Sequence, residues 1–155
     1  MGLTQELCTL IHATSYESLC AECIHRVKQA IKDGVAVALA GSREPVVTSM
    51  TAHMVALGGA AQASVWGAGT KVPLTQAAYI NSVATHVLDF EPMWSPPTHS
   101  VSPTVPVAFA LARAQGLSGI LSKDNGEQLL ERLDRLDALD PDAVQSLVAL
   151  LAWES

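Results

Sequence analysis

The chain has 155 residues and a formal net charge of −6, with 49% hydrophobic and only 15% charged residues. Such a length suits one ordinary domain with its own hydrophobic core, but soluble domains usually carry roughly 25% charged residues. The sequence has no basic cluster that would favour nucleic acid and no apolar run of the about 20 residues that span a membrane, so we expect neither partner.

The amino-terminal segment gives an expectation about the cellular location of the protein. "MGLTQELCTL" lacks the positive region and apolar core of a secretory signal, so we expect a cytoplasmic protein. The three cysteines, Cys8, Cys20 and Cys23, are an odd number, which argues against a disulfide framework. "CAECIH" could also form a zinc site with His25 or a redox pair, but we interpret the cysteines as small apolar residues on helix faces.

Two helices are predicted in the first third of the chain. Apolar residues recur at spacings of three and four from Ser15 to Ala40, which predicts one long helix that becomes buried on all sides and ends at Gly41 as a C-terminal cap. Pro45 begins a second predicted helix, "PVVTSMTAHMVAL", which the pair Gly58-Gly59 ends.

The middle of the chain predicts two further helices around a proline-rich loop. "AQASVWGAGTKVP" predicts a short extended piece or a loop, and Pro73 begins a helix that runs to Asp89. After the proline-rich segment, "VPVAFALARAQG" predicts a helix with Gly116 as its stop. Residues 120–155 read as two amphipathic surface helices.

These elements predict an all-α fold, a helical bundle. Charge is distributed unevenly along it: residues 34–119 hold six charged side chains, and residues 120–155 hold eleven. We therefore expect a domain over residues 1–119, a tail over 120–155 that packs on it, and more protein against the uncharged middle.

A polar stripe follows the predicted helix that begins at Pro73. Ser82, Thr85, His86 and Asp89 have the spacing of one helix face, and the following loop adds His99. Spacing alone leaves open whether this face meets solvent or a ligand. Solvated faces mostly use Lys, Glu or Arg, whereas a carboxylate beside imidazoles suits proton transfer, so we favour a proton-transfer site.

Four sequence blocks in order resemble the MmgE/PrpD family. They are "RVKQAIKDGVAVALAGSREP", "ASVWGAGTKVP", "AAYINSVATHVLDF" and "PTHSVSPTVPVAFALARAQGLSG", and the resemblance covers about residues 15 to 119. It implies a helical domain joined to a smaller α+β lid domain, a homodimer, and no metal or organic cofactor. It also implies dehydration, decarboxylation or epimerisation, in which a proton moves next to a carboxylate of a small di- or tricarboxylic acid.

The same resemblance suggests the site residues. Asp89 matches the aspartate of the family's "LDF" motif and His99 the histidine of its "HPS"-type loop, which makes these two the candidate catalytic residues. Asn81 matches an asparagine that looks structural. The candidate pocket-lining residues are His86, Thr85, Glu91, Met93, Trp94 and Thr98.

The departures from the family pattern open an alternative function. The usual "DFDD" is "DFEP" here, Met93 stands where the family has a hydroxyl, and "GLSG" passes directly to a tail that resembles the family's C-terminal helices. We therefore expect this chain to lack the lid and its basic residues, although a substrate with several carboxylates needs cations. The chain therefore reads either as part of an enzyme, completed by a second copy or a fuller-length relative, or as a non-catalytic helical interaction module.

Overall fold

The computed structural model describes residues 2–94 and 98–114. Within these ranges the chain forms helices and two short antiparallel hairpins, which confirms the predicted helical fold. The elements are α1 Leu3–Ala13, a single 3-10 turn Tyr16–Ser18, α2 Ala21–Gly41, α3 Pro45–Leu57, β1 Ala63–Val65, β2 Thr70–Val72, α4 Leu74–His86, β3 Met93–Trp94, β4 Thr98–His99 and α5 Val101–Ala114.

Helix α2 differs from its prediction in where it begins and in the role of Gly41. It begins at Ala21 rather than Ser15, because Cys20 takes an extended conformation and caps the helix. Gly41 is its last helical residue and is not among the glycines with positive φ, so its role as a left-handed cap was wrong. Instead, a Cβ on Gly41 would overlap the carbonyl oxygen of Ala84 in α4, so glycine allows the two helices to touch.

Helix α3 has the predicted bounds, since Pro45 occupies its first position and Gly58, at φ 74°, follows its last. The glycine-rich segment after it forms a hairpin rather than a loop, with Ala63 paired to Val72. Asn81 of α4 holds this hairpin, because its side chain accepts a hydrogen bond from Trp66 N at 2.9 Å and donates one to Ser64 O at 3.0 Å. The structural interpretation of Asn81 therefore agrees with its contacts.

Helix α4 forms the centre of the core. It packs against α2, α3, α5 and both strands of the first hairpin, and its Ala77, Ile80 and Ala84 are fully buried. Trp66 meets Phe109 edge to face, with ring centroids 5.5 Å apart, which joins the hairpin to α5. The remaining buried hydrophobic residues of the core come from α2, α3, the hairpin and α5: Val35, Ala38, Val47, Ala63, Val65, Val72, Val101, Val105 and Ala110.

The amino-terminal part of the chain lies outside this core. Helix α1 has no buried residue, and the buried residues of α2 begin at Gly34, with Ala30 and Ile31 partly buried against the core just before them. Even there, Ala36 and Ala40 are exposed, so the predicted burial on all sides was wrong. Cys8, Cys20 and Cys23 are exposed as well, which contradicts their interpretation as apolar packing residues.

Helix α5 is the last described element of the chain. It begins four residues earlier than predicted and includes Pro106 within its length. The predicted stop at Gly116, the tail over 120–155 and its packing on the domain lie outside the described residues. Among the helices that the structure does describe, none combines the length and the apolar character needed to cross a membrane.

Candidate active site

Helix α4 ends at the candidate site, three residues earlier than predicted. Its last residue is His86, and Asp89 then adopts φ 55° while its backbone N–H donates to His86 O at 2.8 Å. A left-handed residue is a common end to a helix, and aspartate tolerates that conformation better than most side chains do. Asp89 thus lies in a turn beyond the helix, so the predicted polar stripe does not continue to it.

The stripe also divides within the helix. Thr85 is fully buried, and its hydroxyl donates to Asn81 O at 2.8 Å inside α4. A threonine hydroxyl that bonds back to its own helix is satisfied without a ligand. Ser82 is half-buried, whereas His86 and Asp89 are exposed. The structure therefore places Thr85 in the core beneath the site, and brings only His86 and Asp89 of the stripe to its surface.

Glu91 is the buried centre of the site, with a side chain that is 0% exposed. Its Oε1 lies 2.7 Å from His86 Nδ1, and its Oε2 accepts a hydrogen bond from the backbone N–H of Ser102 at 2.7 Å. Ser102 lies in the first turn of α5, where free N–H groups and the helix dipole favour an anion. Glu91 therefore ties the end of α4 to the start of α5.

These contacts settle the charge of Glu91. Burial raises the pKa of its carboxyl, but the hydrogen bonds from Ser102 and His86 outweigh burial and hold the pKa below its ordinary value. Glu91 is consequently a carboxylate at neutral pH, inside the protein and against two imidazoles.

His99 lies between two carboxylates. Its ring Nδ1 is 3.4 Å from Glu91 Oε1, and its Nε2 is 3.6 Å from Asp89 Oδ1. Both separations exceed a hydrogen bond, and Nδ1 is buried without a hydrogen-bond partner. The ring also meets His86 edge to face, with centroids 4.7 Å apart. The His99 side chain is 29% exposed and that of Asp89 is 71% exposed, so a small molecule can reach both.

The short hairpin β3–β4 presents His99. Met93 pairs with His99 and Trp94 pairs with Thr98, so the segment after Asp89 folds back on itself. Met93 and Thr98 are both exposed beside the histidine. Of the predicted site residues, the structure thus brings together the two histidines and the two acids, and leaves Met93, Trp94 and Thr98 on the adjoining hairpin.

The site contains the donor types of a metal centre. One ligand atom from each of His86, Glu91 and His99 lies within 4.8 Å of the other two, and two imidazoles with a carboxylate are a donor set that zinc accepts. The 2.7 Å contact between His86 and Glu91 would have to open for a metal to enter. The hydrogen bonds of Glu91 already account for its burial, so its position does not require a metal ion.

Sequence reasoning missed the link between Glu91 and Ser102. It placed Glu91 only on the pocket wall and began the following helix at Val105, so no N-terminal turn was available to receive the carboxylate. Part of the signal was present in "HSVSP", because serine is favoured just before a helix and proline is tolerated in its first turn.

The lowered pKa of Glu91 predicts how stability depends on pH. A carboxyl whose pKa is lower in the folded than in the unfolded chain stabilises the fold above the unfolded value, near 4.5, and loses that contribution as pH falls through the folded value. We expect the free energy of unfolding to decrease below about pH 4.5. In Glu91→Gln the slope of this free energy against pH should be smaller, by an amount that corresponds to at most one bound proton.

Urea unfolding followed by circular dichroism between pH 2.5 and 7 measures that slope. Glu6→Gln, which removes an exposed carboxylate on α1, controls for the loss of one negative charge. Equal slopes for wild type and Glu91→Gln would contradict the role assigned to Glu91.

Comparison with known proteins gives a consistent family. The family model of the MmgE/PrpD N-terminal domain matches residues 5–133. Cis-aconitate decarboxylase of Mus musculus and cis-aconitate decarboxylase of Homo sapiens are each 30% identical over 140 residues, which cover 85% of this chain. The match spans only 29% of the length of these relatives.

Proposed function

The chain belongs to the MmgE/PrpD family, and from this premise we propose that His99 and Asp89 move a proton at a carbon next to a carboxylate of a small di- or tricarboxylic acid. The observation that supports the proposal best is the position of His99, which is reachable and has a carboxylate near each ring nitrogen. Dehydration, decarboxylation and epimerisation of such acids all need this step. The similarity to cis-aconitate decarboxylases favours a lyase among them.

Each group of the site has a distinct part in this proposal. His99 exchanges the proton with the substrate, because an imidazole can both accept and donate a proton and this ring is reachable. Asp89, exposed beside Nε2, stabilises the protonated ring from the substrate side. Glu91 does not contact the substrate. It is a positioning residue, because Ser102 fixes its buried carboxylate beside the Nδ1 atom of His99.

The four titratable groups of the site do not supply the positive charge that would bind a polycarboxylate. Two carboxylates and two imidazoles carry a net charge between −2 and 0, so the cluster has no positive charge to spare for a polycarboxylate. Substrate carboxylates are normally held by Arg or Lys. We therefore propose that further protein, in a homodimer or in a complex with a fuller-length relative, supplies these cations. A cytoplasmic location belongs to the same proposal.

Deuterium exchange tests the proposed function directly. Cis-aconitate, 2-methylcitrate and iminodisuccinate are each incubated in heavy water with the chain, alone and with an equimolar fuller-length relative in which the histidine matching His99 is replaced. We expect proton NMR to show loss of the signal next to a carboxylate in at least one substrate. The relative without its histidine is the control, and no exchange above that control in any mixture would overturn the proposal.

A second candidate function rests on the amino-terminal surface. Large apolar side chains of α1 and the segment after it are exposed: Leu3, Leu7, Leu10, Ile11, Tyr16 and Leu19. Surfaces of this kind mark protein contacts, so a non-catalytic interaction module is the alternative. Sedimentation at micromolar concentration separates the candidates: assembly without exchange favours the module, and a monomer without exchange contradicts both.

A further inference from the structure

The start of α2 places two cysteine sulfurs side by side. Cys20 is the N-cap residue and Cys23 the third residue of the helix, and Cys20 Sγ accepts a hydrogen bond from the backbone N–H of Cys23 at 3.3 Å. The two Sγ atoms are 2.9 Å apart. A disulfide bond is about 2.05 Å long, so the sulfurs need to approach by less than about 1 Å to become bonded.

The surroundings leave both thiols reachable and give them unequal character. Both cysteines are exposed. The hydrogen bond between the two thiols, followed by that from the Cys23 backbone N–H, lowers the pKa of Cys20, whereas the neighbouring Cys20 sulfur raises the pKa of Cys23. The start of a 21-residue helix adds its dipole in favour of a thiolate at Cys20. Cys20 is thus the better nucleophile and Cys23 the better resolving thiol.

The charged neighbours of the pair fit this assignment. Glu22 lies between the cysteines, and a carboxylate there opposes a thiolate. Arg26 pairs with it one turn later, with Nε 2.6 Å from Oε1. The guanidinium therefore offsets part of the negative charge nearest the sulfurs. Cys8, also exposed, lies on α1 and gives the chain an internal comparison.

We propose that Cys20 and Cys23 are a redox-active dithiol that closes reversibly to a disulfide by reaction with a low-molecular-weight disulfide such as oxidised glutathione. The Cys20 thiolate attacks one sulfur of that disulfide, forms a mixed disulfide and releases one thiolate. Cys23 then loses its proton and attacks Cys20 Sγ, which breaks the mixed bond and releases the second thiolate. The protein loses two electrons and two protons, and the small disulfide is reduced to two thiols.

This dithiol is independent of the proposed acid–base function. The buried residues of α2 begin at Gly34, eleven positions beyond Cys23. The groups of the candidate active site come from the end of α4, the turn after it, the β3–β4 hairpin and the start of α5. Either proposal can therefore fail without the other.

Redox titration of the full chain tests the dithiol. The protein is equilibrated with mixtures of reduced and oxidised glutathione, quenched with acid and an alkylating agent, and analysed by mass spectrometry. We expect a reversible loss of two hydrogens and two alkylation sites, and a peptide containing a Cys20–Cys23 disulfide. Cys8→Ser serves as control and should titrate at the same midpoint.

Single variants test the order of attack. Cys23→Ser should accumulate a mixed disulfide of glutathione on Cys20, several-fold faster than Cys20→Ser accumulates one on Cys23. Retention of both thiols in oxidised glutathione, or equal reaction rates at Cys8, Cys20 and Cys23, would overturn the proposal. Peptide mapping of the wild-type protein gives the same decision where a variant does not fold.

Discussion

Gly41→Ala is expected to lower the free energy of unfolding by about 3 kcal/mol. A Cβ at this position would overlap the carbonyl oxygen of Ala84 and approach Val87 Cγ1 to 2.8 Å. The first of these partners is backbone at the centre of the core, so it cannot turn away as a side chain would. The methyl group fits only if α2 and α4 move apart, which loosens packing around the most buried helix.

Two matched variants isolate the cost of this contact. Ala40→Gly, at the exposed neighbouring position, reports the intrinsic preference of helices for alanine, which is about 1 kcal/mol or less. Gly34→Ala meets a side-chain methyl group of Val101 rather than backbone, so we expect a smaller loss of about 1 kcal/mol. Urea denaturation provides all three values. A Gly41→Ala protein as stable as wild type would contradict the close approach of α2 and α4.

The sequence predicted elements best where a local signal ends them. Helix α3 was correct at both ends, because Pro45 at its first position and Gly58 after its last act on the backbone directly. Gly41 was misread for the opposite reason. Glycine is needed at position 41 because the residue contacts Ala84, which is 43 positions away. No local sequence pattern distinguishes a packing glycine from a capping one.

In the candidate site, too, contacts between residues distant in sequence could not be predicted. Motif matching and residue chemistry singled out His86, Asp89 and His99, which the fold does bring together. The buried contacts of Glu91 could not be predicted, because they depend on a backbone N–H of α5 and on where that helix begins. The prediction began α5 at Val105, which put Pro106 in the first turn, where proline is tolerated. The helix instead begins at Val101 and continues through Pro106.

Removal of the His99 imidazole is expected to abolish most proton transfer. General acid–base catalysis by one side chain contributes roughly 10²–10⁴-fold, so His99→Gln should slow substrate deuterium exchange by that factor. Asp89→Asn should have a smaller effect, because it removes the carboxylate near Nε2 but keeps the imidazole. Asparagine also tolerates the positive φ of position 89, so the turn between α4 and the hairpin should persist.

His53→Gln is the matched control for this series, since His53 is an exposed histidine on α3, an element that contributes no group to the candidate site. Exchange is measured for all three variants in the mixture where wild type is active, together with the midpoint of urea unfolding. Equal rates for His99→Gln and His53→Gln would contradict His99 as the proton carrier. A rate lost only together with the unfolding midpoint would instead assign His99 to the packing of its hairpin, so the two measurements jointly decide whether this histidine acts on the substrate.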